Sequence, residues 1–213
     1  MEITNESVVL VLAPHTDDGE LGLGGTIHKL IAAGCEVHYA AFSAAEESIP
    51  EEFDLSQTRL EVCSATEVLG IPPGNLEVMS FKVRRFTDHR QEILDSMIKL
   101  RASINPDVVF VPSSDDVHQD HQIIHREAIR AFKTRTILGY ELIWNEFSFH
   151  SDLLIALEEE DVRAKVRALS KYETQAGRPY MSSDFILGLA RARGVQAGAV
   201  YAEAFEVIRC VIK

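Results

Sequence analysis

Val8-Val9-Leu10-Val11-Leu12-Ala13-Pro14-His15-Thr16-Asp17-Asp18 passes from a run of apolar residues directly into a histidine and two aspartates. A short, Val-rich run that is apolar at every position predicts a strand covered on both faces, as in a parallel sheet. Ligands in open α/β sheets gather beyond the carboxyl ends of such strands, so the polar residues stand where chemistry is expected. Gly19, Gly22, Gly24 and Gly25 follow, then Ile27, Leu30 and Ile31 with the spacing of one apolar helix stripe.

The same alternation continues outward. A helix over residues 20–33 ends at Gly34, and a strand is expected over 36–42. Residues 43–54 carry Glu46, Glu47, Glu51 and Glu52 around Pro50 and read as a solvated acidic loop near the active end of the sheet. A helix over 55–69 has Leu55, Leu60, Val62, Cys63, Val68 and Leu69 as its apolar set, and Gly70-Ile71-Pro72-Pro73-Gly74 stops it. Then come a strand over 76–79, a helix over 88–104 with Ile93, Leu94, Met97, Ile98 and Leu100 inward, and a second Val-rich strand over 108–111. The remaining expectations are helices over 122–132, 161–172 and 182–193 and strands over 137–143, 147–149 and 202–211. This order predicts a three-layer, Rossmann-like α/β fold with a mostly parallel sheet, as a single domain over residues 1–213.

Composition narrows the function classes. A chain of 213 residues with 46% apolar content can bury one good core. A net charge of -12 argues against nucleic acid and anionic membranes as partners. Cys35, Cys63 and Cys210 are far apart and form no C-x-x-C pair, which predicts neither a disulfide framework nor a cysteine zinc site and fits a reduced, cytoplasmic setting. The first residues lack the pattern of a signal peptide, and no apolar run reaches membrane-spanning length.

The second Val-rich strand also ends in polar residues, Ser113-Ser114-Asp115-Asp116-Val117-His118-Gln119-Asp120-His121. His15 and Asp18 are three apart on a turn and can face one zinc ion, with His121 as third ligand and one position open for water. Asp17 is then a candidate base for that water, and His118 a donor to a developing oxyanion. The competing reading is that strand-end His and Asp only cap helices or face solvent. His118, His121 and His125 form an alternative metal set on one helix face, without the Glu of H-E-x-x-H.

Pro14-His15-Thr16-Asp17-Asp18 with Gly24-Gly25 resembles the A-H-P-D-D-E and G-G motif of the LmbE-like, or PIG-L, zinc deacetylases. Asp116-Val117-His118-Gln119-Asp120-His121 resembles their D-x-H-P-D-H. Arg59-Leu60-Glu61, Leu69-Gly70, Arg193-Gly194, Gly198 and Tyr201-Ala202-Glu203-Ala204-Phe205 extend the likeness, the last block being similar to bacillithiol-pathway deacetylases.

The resemblance implies His15, Asp18 and His121 as ligands of zinc or another divalent ion, and Asp17 as general base. It implies His118 as oxyanion stabiliser oriented by Asp120, and Arg59 and Tyr201 near a bound acyl sugar. The implied activity removes an N-acetyl group from an N-acetylglucosamine-type conjugate, a small-molecule partner, in a homo-oligomeric enzyme with no membrane insertion. Thr16 and Gln119 stand where the family has Pro, which predicts looser turns. Asp115 and Asp116 read as helix-preceding residues, and Glu203 either binds substrate or pairs with Arg193. Two readings compete with hydrolysis: nucleotide binding by Gly22-Leu23-Gly24-Gly25, whose spacing from the strand is poor for G-x-G-x-x-G, and a catalytically silent interaction module.

Overall fold

The computed structural model describes residues 6–212, so the leader reading, which rests on the first residues, falls almost wholly outside them. In chain order the elements are β1 (Val8–Ala13), α1 (Asp18–Ala32), β2 (Glu36–Ala41), α2 (Gln57–Leu69), β3 (Leu76–Val78), α3 (Arg90–Ile104) and β4 (Val108–Pro112). They continue with α4 (Gln119–Ala131), β5 (Thr136–Tyr140), β6 (Leu153–Leu157), α5 (Glu159–Leu169), α6 (Ser183–Ala197) and β7 (Tyr201–Arg209). The strands form one sheet in the order β3-β2-β1-β4-β5-β7-β6. The first five pair in parallel, and β7 runs antiparallel between β5 and β6. The mostly parallel, Rossmann-like expectation holds.

Alternation along β1 divides the core. Val9 and Val11 pack with residues of α1, α2, α5 and α6, while Leu10 and Leu12 face α3 and α4. All four are fully buried, and each contributes about 1.5–3 kcal/mol of transfer free energy. Three layers follow directly from two-sided burial of an apolar strand.

Two expectations are corrected. Residues 147–149 form no strand, and Phe147 is 97% exposed; the strand lies at Leu153–Leu157 and pairs only with β7. As an edge strand it is half-buried at most positions, which blurs the period-two signal that marks β1. In α2, Leu60 is exposed, and Leu55 precedes the helix and is exposed as well, whereas Glu61 turns inward. Its carboxylate accepts from the backbone N–H and hydroxyl of Thr174 at 3.0 and 2.7 Å, so a charged side chain takes a seat that apolar spacing assigned to Leu.

Helix α1 kinks at Leu23. There the N–H groups of Gly25 and Thr26 donate to the Glu203 carboxylate of β7 at 3.2 and 2.7 Å. Lys165 of α5 neutralises the same carboxylate at 2.7 Å. A Cβ at Gly25 would lie 2.6 Å from Leu157 Cδ1, so the glycine permits this close approach. The amides that a nucleotide phosphate would use are therefore occupied, and Glu203 pairs with Lys165 and not with Arg193.

Candidate metal centre

Strands β1 and β4 are neighbours in register Val9 to Val108 and Val11 to Phe110, so the polar loops after them lie side by side. His15 comes from the loop between β1 and α1, Asp18 opens α1, and His121 lies in the first turn of α4. Asp18 Oδ2 lies 3.1 Å from His15 Nδ1 and 3.2 Å from His121 Nε2, and those two nitrogens are 3.3 Å apart. Donors bound to one tetrahedral ion at about 2.0 Å stand about 3.3 Å from one another. This triangle can hold a small divalent ion. The ring nitrogens of His15, His118 and His121 also gather within 4.8 Å, which puts His118 at the rim of the same centre.

A second layer of carboxylates holds both ligand histidines. Asp116 Oδ2 lies 2.6 Å from His121 Nδ1, and Asp120 Oδ2 lies 3.1 Å from His15 Nε2. Each fixes the far nitrogen of a ring whose near nitrogen faces the triangle, the usual arrangement around metal-binding histidines. Asp116 also accepts from the His118 N–H at 2.8 Å, so it does more than precede a helix.

Asp120 differs from expectation. Its carboxylate serves His15 and the backbone N–H groups of Arg84 and Phe86, at 2.5 and 3.3 Å. Only its backbone N–H meets His118, donating to Nδ1 at 3.2 Å as the cap of α4. In the neutral ring Nε2 then carries the hydrogen. His125 Nδ1 lies 2.9 Å from the Pro112 carbonyl, and among the described residues the ring nitrogens that gather within 4.8 Å are those of His15, His118 and His121, so the alternative set with His125 is not assembled.

Charge follows from this packing. Burial opposes the charged form of His15, but Asp18 and Asp120 outweigh it and push the pKa up to about 9. Burial likewise opposes His121, yet Asp18 and Asp116 push it up to about 10. The two histidines hold Asp18 well below the usual carboxylate range despite its burial. Asp17, beside it, is pushed up to about 6 by burial and by the Asp18 charge. Burial and the neighbouring His121 and His15 push His118 down to about 4.

The turns that lack proline are tied by hydrogen bonds. The Thr16 carbonyl lies 2.9 and 2.7 Å from the Tyr39 and Tyr172 hydroxyls, and both hydroxyls also contact the Glu20 carboxyl. Burial pushes Glu20 up to about 8; as a neutral acid it supplies a third proton to this cluster. Gln119 Nε2 donates to the Arg84 carbonyl at 2.7 Å. The looseness expected of Thr16 and Gln119 is thus offset.

The centre opens into a cleft of about 370 Å³ whose walls include Asp17, His118, Trp144, Gln175, Arg178 and Tyr180. Arg59 and Tyr201 do not line it. Arg59 pairs with Glu46 at 2.9 Å and ties down the carbonyls of Val78 and Met79, so Glu46 is not merely solvated. Tyr201, at the start of β7, packs under the Arg191 guanidinium. Arg193 pairs with the buried Glu141. Trp144, Arg178 and Tyr180 escaped the reading of the sequence; the signal was the chain's one Trp and an Arg-Pro-Tyr after Gly177, both in loops.

Comparison with known proteins bears on the fold and the family. The chain is 22% identical over 172 residues to the uncharacterized deacetylase YaiS of Escherichia coli (strain K12), covering 78% of this chain and 90% of that protein. The N,N'-diacetylchitobiose deacetylase of Pyrococcus horikoshii superposes with a TM-score of 0.76 at 21% identity, covering 95% of this chain and 84% of that one. GalB, the 4-carboxy-2-hydroxymuconate hydratase of Pseudomonas putida KT2440, shares the fold with a TM-score of 0.74 at 18% identity and coverage of 97% and 98%. Residues 10–132, which contain both polar loops, match the model of the PIG-L family, described as GlcNAc-PI de-N-acetylase, and the chain belongs to that family.

Proposed function

We propose that this protein is a metal-dependent hydrolase that removes the N-acetyl group from an N-acetylglucosamine-type conjugate. The observation that carries this reading is the triangle of His15 Nδ1, Asp18 Oδ2 and His121 Nε2, with edges of 3.1–3.3 Å and the Asp17 carboxylate adjoining it. Two imidazoles and one carboxylate suit zinc, and they leave a position open. A bound divalent ion would lower the pKa of its water to about 7 and polarise the amide carbonyl.

The remaining steps belong to the chain. Asp17, with a pKa near 6 set by burial and Asp18, takes a proton from the attacking water and returns it to the departing nitrogen. The C–O bond to the acetyl carbon forms, the C–N bond breaks, and acetate and a free amine leave. His118, its Nδ1 engaged by the Asp120 N–H, offers Nε2–H to the carbonyl oxygen as negative charge builds there. A neutral imidazole suffices for this.

Acetate release from N-acetylglucosaminides, lost on chelation and restored by zinc or another divalent ion, tests the reading. Stoichiometric metal with no acetate release from any N-acetyl sugar would refute it. Addition of water to an unsaturated acid instead would favour chemistry of the kind named for GalB.

A further inference from the structure

Trp144 sits in a short turn after β5, at the carboxyl end of the sheet, and its ring stacks on Tyr180 with centroids 4.1 Å apart and planes 11° from parallel. Phe185 meets the indole at 61°, yet Trp144 remains 37% exposed. The pair is tied to the metal-binding loop, because the Asn145 carbonyl accepts from the Val117 N–H at 2.9 Å. On the other side the chain is pinned at Thr174 by Glu61 and at Tyr180 by Trp144, with Arg178 between.

Arg178 is the one Lys or Arg on the cleft wall. Among the described residues it makes no ion pair, although the chain holds 33 Asp and Glu against 21 Lys and Arg. Its counterparts Arg59 and Arg193 are each held by a glutamate. The acidic loop approaches the cleft through Ser48 and Ile49, and its Glu46 is paired with Arg59. Glu47, Glu51 and Glu52 of that loop are not among the residues that line the cleft. A guanidinium without a carboxylate partner beside a half-open aromatic face matches a ligand that brings both a ring and a negative charge.

We propose that Trp144, Tyr180 and Arg178 form a second subsite, in which the aromatic pair supports a ring of the substrate and Arg178 binds an anionic substituent, carboxylate or phosphate, beyond the acetylated sugar. The orientation, with the acetamide toward the metal centre, rests on the deacetylase reading above. Binding at the subsite does not.

Trp144 is the only Trp in the chain, so its fluorescence reports on this subsite without turnover. The methyl glycoside, the carboxymethyl glycoside and the 1-phosphate of N-acetylglucosamine are titrated into the metal-loaded Asp17→Asn protein. At least one anionic ligand should bind about 10-fold or more tightly than the methyl glycoside, as a charge-assisted contact predicts. Which one does so identifies the anion. The difference should vanish with Arg178→Gln added and survive in part with Arg178→Lys. Trp144→Ala, followed by calorimetry, should weaken all three ligands. Equal affinities in the Asp17→Asn protein, or a preference that persists with Arg178→Gln, would overturn the anion site; unchanged affinities in Trp144→Ala would overturn the platform. If the binding pattern holds but the wild-type protein releases no acetate, the deacetylase reading fails and the subsite stands. If acetate is released from all three ligands with equal kcat/KM, the reverse is true.

Discussion

Asp120→Asn should weaken metal binding before it alters chemistry. Asp120 is fully buried, and its carboxylate accepts from the N–H groups of Arg84 and Phe86 while facing His15 Nε2 at 3.1 Å. These partners hold its own pKa below the ordinary value against the opposing effect of burial. Asparagine keeps one acceptor oxygen and turns an NH₂ toward at least one of the three donors, so a donor meets a donor in a buried site. Losing a hydrogen bond that involves a charged group costs about 1.5–3 kcal/mol. Loss of the carboxylate behind a metal-binding histidine costs about 10–100-fold in metal affinity, or about 1.4–2.7 kcal/mol. The two ranges agree. Competition against a chromophoric chelator measures the affinity, and turnover at saturating metal separates binding from catalysis. An Asp120→Asn protein with wild-type metal affinity and low turnover at saturation would refute the reasoning and return Asp120 to the service of His118.

Asp17→Asn should keep stoichiometric metal while turnover falls by ~100-fold or more, as for a general base; loss of metal on elemental analysis would exchange the roles of Asp17 and Asp18. The rate should rise with pH through the Asp17 ionisation, near pH 6 or below once a cation is present, and show no alkaline fall owed to His118, whose pKa lies near 4. An alkaline limb that disappears in His118→Ala would show that a protonated His118 is needed. Glu20 is held near pKa 8 by burial against an ordinary value of 4.5, so the folded state binds its proton more tightly and stability declines as pH rises across that window. Glu20→Gln should flatten the decline in melting temperature between about pH 5 and 8; an unchanged slope in the variant would refute a neutral Glu20.

The parts of this molecule that were legible in the sequence are those whose physics is local. Val8 to Leu12 and Val108 to Val111 are apolar at every position because each strand is covered on both faces, and residue types alone report that. The edge strand β6 is half-exposed and leaves no such mark. His15, Asp17, Asp18, His118 and His121 were visible because two short loops carry them all. The partners of Asp116 and Asp120 were not, since one turn places both near His118 and His121, and only the folded backbone shows that Asp120 reaches across to His15. Arg178 and Trp144 meet the cleft from distant segments that share no motif with it.

The raised pKa values of His15 and His121 make the centre a proton exchanger. Four carboxylates, Asp17, Asp18, Asp116 and Asp120, crowd around two imidazoles, and without a cation the site balances that charge by keeping protons on both rings. A divalent ion that enters must displace both, so its binding at neutral pH should release two protons, countable with an indicator dye in weak buffer. Uptake with no proton release would contradict this. Below about pH 9 the apparent affinity then changes about 100-fold per pH unit, since two protons compete for one ion. Acidification therefore competes directly with the metal for the two rings of this centre.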